Sequence, residues 1–170
     1  MIENLWILIK EGGVLVFSKN YIKLKIKDDD LIAGFLSAVD SFVKETTNEQ
    51  IKSIIMRGRK FSYIVGDNLI IVISTNQLDN DVLIQDLLKA IKIKFLEKYK
   101  ENIRNFSGNT GYFTNFDTEL GEILTQSDIS IKCMTCKKTI LGEFRVRFLD
   151  DKKIYLCCPL CEEKFLLAKI

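Results

Sequence analysis

The chain has 170 residues, of which 47% are hydrophobic and 28% charged, and its formal net charge is +2 at pH 7. This length corresponds to one domain of ordinary size with a small appendage, and the composition is that of a globular chain and excludes a disordered one. The sequence contains no histidine, which excludes Ser-His and Cys-His nucleophile pairs, histidine general bases and mixed Cys/His metal sites. Since the commonest catalytic devices are missing, we expect no enzymatic activity.

The apolar segments and the cysteines indicate the compartment. No apolar stretch approaches the roughly 20 residues needed to span a bilayer, and no positively charged segment precedes an apolar run at the start of the sequence. We therefore expect a cytoplasmic protein without a transmembrane segment. All five cysteines lie between positions 133 and 161. Because the cytosol keeps thiols reduced, this clustering favours metal binding over disulfides.

The first two strands are predicted from apolar runs. Runs at 5–9 and 14–17 flank Gly12 and Gly13, which is typical of a β-hairpin with a glycine turn. Over 22–27, lysines alternate with apolar residues. This period of two predicts an exposed extension of the second strand, with lysines that discourage aggregation at an edge of the sheet; an acid-binding patch is the alternative.

A helix and three strands follow. Three aspartates at 28–30 precede a helical apolar pattern over 31–43, and we interpret them as residues that cap the helix and match its dipole, with a cation site as the alternative. Strands are predicted over 53–56, 61–65 and 69–74, joined by links that each carry the glycine expected of a hairpin turn. Together with the first hairpin, they make five predicted strands.

The most apolar strands require helices on both sides of the sheet. The runs at 5–9 and 69–73 are apolar at every position, so both are predicted to be central strands that are covered on two faces. A long helix over 79–106 and a short last helix over 113–124 supply part of this cover. The lysines of the long helix are interpreted as a solvated face, with a helix on a membrane surface as the alternative.

The order of these elements over residues 1–125 resembles that of longin domains, the SNARE-like fold shared by the small (σ) subunits of clathrin adaptors. The local sequence is similar as well, because LKAIKIKFLEKY over 88–99 and FTNFDTELGEIL over 113–124 resemble the end of σ-adaptin chains. The resemblance implies an α+β fold with a five-stranded, antiparallel-type mixed sheet of order 2-1-5-4-3 between one helix and two helices. A roadblock-type relative and a generic α/β sandwich are the alternatives.

Longin and roadblock domains act as interaction platforms in membrane traffic and in complexes with Ras-like GTPases. The resemblance therefore implies a non-enzymatic adaptor that binds a protein partner, such as a Ras-like small GTPase or a coat-like subunit, with any membrane association made through partners. Neither Gly12-Gly13 nor the segment at 108–111 has the G-x-x-x-x-G-K-[ST] pattern that cradles phosphates. We do not expect the chain itself to be a GTPase.

A four-cysteine module is predicted over 132–170, after a polar linker at 126–131. Its cysteines form two groups twenty residues apart: Cys133 and Cys136, then Cys157, Cys158 and Cys161. Two such groups at this separation indicate a tetrahedral, four-thiolate Zn²⁺ site. The residues between them predict a β-hairpin, and Pro159 begins a helix, so the arrangement is that of a treble clef. Because 39 residues are too few for an adequate core, we expect the Zn²⁺ to be structural.

The run from Tyr155 to Phe165 resembles the TRASH and YHS family of treble-clef modules. By position, the resemblance implies four metal ligands: Cys133, Cys136, Cys157 and Cys161. Cys158 then takes the place of the family's serine, and a pairing of Cys158 with Cys161, in place of Cys157, is the alternative. Such modules are associated with metal handling, so a metal sensor or metallochaperone is the alternative function.

Nucleic acid is not an expected partner. Nine basic and five acidic residues follow position 131, a formal charge of +4 that falls to about +2 when four thiolates bind a divalent ion. This is not the strongly basic footprint of a nucleic-acid-binding module. The sequence predicts no catalytic residue and no cofactor-binding residue other than the metal ligands.

Overall fold

The computed structural model describes residues 2–22, 28–66, 68–127, 132–138, 140, 144–149 and 152–167, and of residues 152 and 153 it describes the backbone only. The strands are β1 Ile2–Ile9, β2 Val14–Asn20, β3 Ser53–Met56, β4 Arg59–Val65, β5 Leu69–Asn76, β6 Arg145–Leu149 and β7 Lys152–Leu156. The helices are α1 Asp29–Thr47, α2 Asp81–Arg104, α3 Asp117–Gln126 and α4 Pro159–Leu167. Two 3₁₀ segments, Glu11–Gly13 and Thr110–Phe116, connect neighbouring elements.

Strands β1 to β5 form one sheet of order β2-β1-β5-β4-β3. This confirms the predicted α+β class and the strand order implied by the longin resemblance. Every pairing in the sheet is antiparallel, so it is simpler than the mixed sheet that we expected. Strand β2 lies at an edge, as predicted, but its lysine-bearing extension at 23–27 lies outside the described residues.

The central strands β1 and β5 are buried along their length. All eight residues of β1 and the first seven of the eight in β5 are buried, and the two strands pair in a register that sets Ile7 opposite Ile71. Alternate side chains of a strand point to opposite faces of a sheet. The sheet therefore has an apolar core on each of its two faces, as the uninterrupted apolar runs predicted.

One face of the sheet packs against α2, α3 and the 3₁₀ segment between them. At its centre lie four aromatic rings, with Phe95 in contact with Tyr99, Phe113 and Phe116 at centroid distances of 4.9, 5.7 and 5.0 Å. All four side chains are at most 5% exposed. The helix α2 starts at Asp81, two residues after the predicted start, because the side chain of Asn80 caps it by accepting from the backbone N–H groups of Val82 and Leu83.

Among the described elements, α1 is the one helix on the other face, and the aspartates at its start hold it in place. The Asp28 carboxylate accepts from the backbone N–H groups of Asp30 and Leu31, both at 3.1 Å, which confirms the predicted cap. The Asp29 carboxylate instead accepts from Trp6 Nε1 of β1 at 3.2 Å and from Ser18 Oγ of β2 at 2.8 Å. The aspartates therefore start the helix and also tie it to the sheet.

The glycine turn of the first hairpin allows α1 to approach closely. Gly13 has a φ of 62°, and a Cβ at this position would lie 2.7 Å from Ser37 Oγ of α1. A larger residue would push against the helix and would also be strained by the positive φ. The prediction of a hairpin that turns on Gly12 and Gly13 is confirmed.

Truncation of Phe116 tests the aromatic core. We expect Phe116→Ala to lower the free energy of unfolding by about 3–5 kcal/mol, because it leaves a cavity among packed rings. Urea unfolding followed by the fluorescence of Trp6, which is fully buried and the only tryptophan, measures the loss. Tyr112→Ala is the control, since Tyr112 is 60% exposed and its loss is expected to cost within about 0.5 kcal/mol. Equal effects of the two substitutions would contradict the packing.

Candidate metal centre

The cysteine module consists of a hairpin, a helix and a tight turn that precedes both. Strands β6 and β7 pair antiparallel, and α4 begins at Pro159, directly after the second group of cysteines. This confirms the predicted hairpin and helix of the module. In the turn that holds the first group, the backbone N–H of Cys133 donates to the carbonyl of Lys138, and that of Lys137 donates to the carbonyl of Cys133, both at 2.9 Å. Lys137 adopts a positive φ of 63° to close this turn.

Four thiols converge between the turn, the hairpin and the helix. The Sγ atoms of Cys133, Cys136, Cys157 and Cys161 all lie within 4.8 Å of one another. The shortest of the separations include 3.6 Å between Cys136 and Cys157 and 3.5 Å between Cys157 and Cys161. These are the four cysteines that the treble-clef resemblance implies as ligands.

The donor set fits a thiophilic metal ion. Sulfur atoms bound to a tetrahedral Zn²⁺ at about 2.3 Å lie roughly 3.8 Å from one another, so the observed separations need only small adjustments. Four sulfur donors, with no oxygen or nitrogen ligand in the group, suit Zn²⁺ and other soft ions and not Mg²⁺ or Ca²⁺. The four thiols can therefore hold a metal ion, and its identity as Zn²⁺ is part of the proposal below.

The fifth cysteine lies beside the group and is not a member of it. Cys158 Sγ is 3.8 Å from Cys157 Sγ, but it is absent from the set of mutually close thiols. Cys158 is half-buried, as is Cys157. The geometry favours Cys157 over Cys158 in the ligand set, and ligation by either of them stays a prediction.

The thiols differ in their tendency to ionise. Burial opposes ionisation of Cys133, but the backbone N–H groups of Cys136 and Cys157 outweigh it and lower the pKa of Cys133 to about 6. Hydrogen bonding to Cys161, together with burial, raises the pKa of Cys157. Since thiols at such short range hinder each other's ionisation, a cation is needed for all four to be thiolates together.

Contacts outside the sulfur atoms fix the hairpin to the helix. Glu162 of α4 is 7% exposed; it accepts a hydrogen bond from Arg145 Nη1 at 2.9 Å and forms an ion pair with Arg147 of the same strand. Thr135 Oγ1 donates to the carbonyl of Cys161 at 2.7 Å. Sequence reasoning missed these positioning residues. The sequence contains one indication of these contacts. Arg145 and Arg147 are two residues apart and therefore lie on one face of a strand, which favours an acidic residue opposite them.

The module has a small core that includes two residues of the N-terminal unit. Cys133, Tyr155 and Leu156 are buried in it, and Tyr21 and Ile22, which follow β2, pack against it. The backbone N–H of Met134 donates to the carbonyl of Tyr155 at 2.8 Å, so the first cysteine group also contacts β7 directly. Residues 128–131 of the predicted linker lie outside the described residues, and the domain limits stay predictions.

No protein-family model matches the chain. Similar structures include the mammalian SRP receptor, with 14% identity and a TM-score of 0.47 over 72% of this chain and 91% of that chain. MglB of Myxococcus xanthus has 15% identity and a TM-score of 0.45 over 59% and 85%. A homology model of the full-length AP-3 complex in a stretched open conformation has 13% identity and a TM-score of 0.43 over 72% and 91%. Since these TM-scores are below 0.5, the description of the chain as longin-like rests on its strand order.

The helices were also compared with the dimensions of a bilayer. Within the described part of the chain, none combines the length and the apolar content that crossing a membrane requires.

Serine substitutions test the ligand set one thiol at a time. We expect Cys158→Ser to retain about one Zn²⁺ per chain and Cys157→Ser to lose it, because only the second substitution breaks the four-thiol group. Metal content by mass spectrometry and the absorption of the Co²⁺-loaded protein measure both effects. Loss of metal from Cys158→Ser together with retention in Cys157→Ser would identify Cys158 as the ligand instead.

Proposed function

We propose that this protein is a non-enzymatic adaptor of the trafficking or small-GTPase-regulating type, with a structural Zn²⁺ in its C-terminal module. The observation that carries the proposal is the sheet of order β2-β1-β5-β4-β3 with one helix on one face and two on the other. This is the arrangement of longin domains, which serve as interaction platforms. A fold gives a class of function and not a partner, so the partner has to be found by experiment.

A structural role for Zn²⁺ is supported by the size of the module's core. Apart from two cysteines, three of the described residues are buried apolar members of this core: Ile140, Tyr155 and Leu156. So small a core contributes little to folding, whereas structural Zn²⁺ in small modules contributes roughly 10–16 kcal/mol. Tyr21 and Ile22 of the N-terminal unit extend the core, and the metal then holds the module in the shape that packs against them.

We also propose that the protein has no enzymatic activity. Zn²⁺ held by four thiolates has no open position for a water molecule or a substrate. The chain offers no histidine to activate a cysteine as a nucleophile. Residues Cys133, Cys136, Cys157 and Cys161 would hold the ion, and the ion would supply cohesion and not chemistry.

A metal sensor or metallochaperone is the second candidate, and one observation favours it. Cys158 places a fifth sulfur 3.8 Å from Cys157, outside the group of four. Such a thiol offers an incoming thiophilic ion a first ligand before the resident ion leaves. A purely structural site does not need it.

Retention of Ras-like GTPases on the immobilised protein tests the adaptor function. We expect at least one GTPase from the same organism to bind the full chain with a preference for its GDP-bound or its GTP-analogue-bound form. Affinity purification from the native cell supplies the wider search for a coat-like partner. If no GTPase is retained in a nucleotide-dependent manner and no other protein partner is recovered, the proposal is wrong.

Metal exchange distinguishes the structural role from sensing. We expect Zn²⁺ to stay bound in the presence of a mild chelator, and its removal by a strong chelator to unfold the module, because about 10–16 kcal/mol of binding energy is coupled to folding. Metal content and far-UV circular dichroism measure the two effects. Rapid replacement of Zn²⁺ by Cu⁺ in the native protein, but not in Cys158→Ser, would favour the sensor or metallochaperone.

A further inference from the structure

Helix α1 has two apolar faces, and only one of them packs against other described residues. Leu36, which is 1% exposed, packs in the core beneath the helix. On the opposite side, Leu31, Phe35 and Phe42 are 61%, 48% and 67% exposed. At 3.6 residues per turn, these three residues and Ala38 lie along one line of the helix, roughly 180° from the buried side. We call Leu31, Phe35, Ala38 and Phe42 the outer stripe.

The outer stripe has the spacing of a seam between two helices. Its members are four, three and four residues apart, an average of about 3.7 residues, and apolar residues at this spacing allow two helices to pack along their length. The stripe therefore fits a second helix.

Gly34 lies beside the outer stripe, and its lack of a side chain serves no contact among the described residues. It is exposed in the interior of α1, where a glycine costs about 1 kcal/mol relative to alanine. No described atom lies within 4 Å of the position that its Cβ would take, so the described packing does not require a glycine there. The close approach of a partner's helix would require one.

Acidic residues border the outer stripe at both ends. Asp28 and Glu45 are exposed, each lies roughly 50° around the helix from the centre of the stripe, and neither has an ion-pair partner among the described residues. Lys44 is the only basic residue in α1, and it lies roughly 150° around the helix from the centre of the stripe. The complementary partner is therefore basic at its flanks, and an anionic membrane surface is disfavoured.

A second copy of this chain does not match the charge pattern. Two α1 helices packed antiparallel through their outer stripes would set Leu31 opposite Phe42 of the other copy. The same register sets Asp28 opposite Glu45 at both ends, where like charges oppose association. Parallel packing would bring the two acidic N-termini together, which is also unfavourable.

We propose that the outer stripe of α1 binds an amphipathic helix of a protein partner, with apolar residues at alternating four- and three-residue spacing and Lys or Arg at the flanking positions. The proposal rests on the adaptor function proposed above and names the surface and the chemistry of a partner. The apolar seam supplies the affinity, and the acidic ends select a basic partner.

Two synthetic peptides test the proposal on the purified, Zn²⁺-loaded full chain. Both are fluorescein-labelled helices of about 21 residues, or three heptads, with leucine at the seam positions. The flanking positions carry lysine in one peptide and glutamate in the other. Fluorescence anisotropy is expected to show that the lysine peptide binds about ten-fold more tightly or better.

Substitutions in α1 assign the binding to the outer stripe. Phe35→Ser and Phe42→Ser are expected to weaken binding of the lysine peptide about ten-fold each, since each removes an exposed aromatic ring from the seam. Ile93→Ser on α2 is the matched control, because Ile93 is 57% exposed. The variant Glu45→Lys is expected to weaken the preference for the lysine peptide. Thermal unfolding checks that each variant is folded.

Three results would overturn the assignment. The first is equal binding of the two peptides, or binding that Phe35→Ser and Phe42→Ser leave unchanged. The second is a dimer in sedimentation that these substitutions abolish, which would assign the stripe to a second copy. The third is flotation with vesicles of phosphatidylcholine and phosphatidylserine that they abolish. If a GTPase or coat-like partner is still retained by Phe42→Ser while the peptides fail to bind, the adaptor function stands and only this surface is wrong.

Discussion

The pairing of β1 with β5 is the contact on which the rest of the structure depends. Ile7 and Ile71 are paired and point to the face that α2 covers, whereas Trp6 and Val72 are paired and point to the face that α1 covers. All four residues are fully buried. Central strands that are apolar on both faces are stable only between two layers of other elements. The three-layer arrangement is therefore a consequence of two short runs of sequence.

The beginning of β1 also connects the sheet to the metal centre. The carbonyl of Glu3 accepts from the backbone N–H groups of Tyr21 and Ile22 at 2.9 and 3.1 Å, and these residues pack against the core of the cysteine module. The Glu3 carboxylate accepts from Arg59 of β4 at 2.6 Å. In the same module core, the carbonyl of Tyr155 accepts from the backbone N–H of Met134, which lies between the first two cysteines. Only a few residues therefore connect the sheet to the thiols.

Much of the fold and part of the site could be predicted because the signals are local. Periodicity and apolar runs predicted the five strands and the helices on both faces, and cysteine spacing predicted that the two groups of thiols converge. The start of α2 was predicted two residues early, since Asp79 and Asn80 are both suitable caps and only the folded chain selects Asn80. The contacts of Glu162 with Arg145 and Arg147 were not predicted, because spacing does not show which helix a strand will face.

The sequence by itself determined which ligand chemistry the candidate metal centre can use. Without histidine and with every cysteine after position 132, a soft-metal site of the usual kind has only thiolates to use. Which thiols come together was decided by the tertiary structure, because Cys157 and Cys158 are adjacent in sequence and only the direction in which β7 leads into α4 separates them. The aspartates before α1 were similarly ambiguous. Their spacing indicated a cap, but the bonds from Asp29 to Trp6 and Ser18 need two strands that lie far from it in sequence. Long-range packing supplies such partners, and local patterns do not contain them.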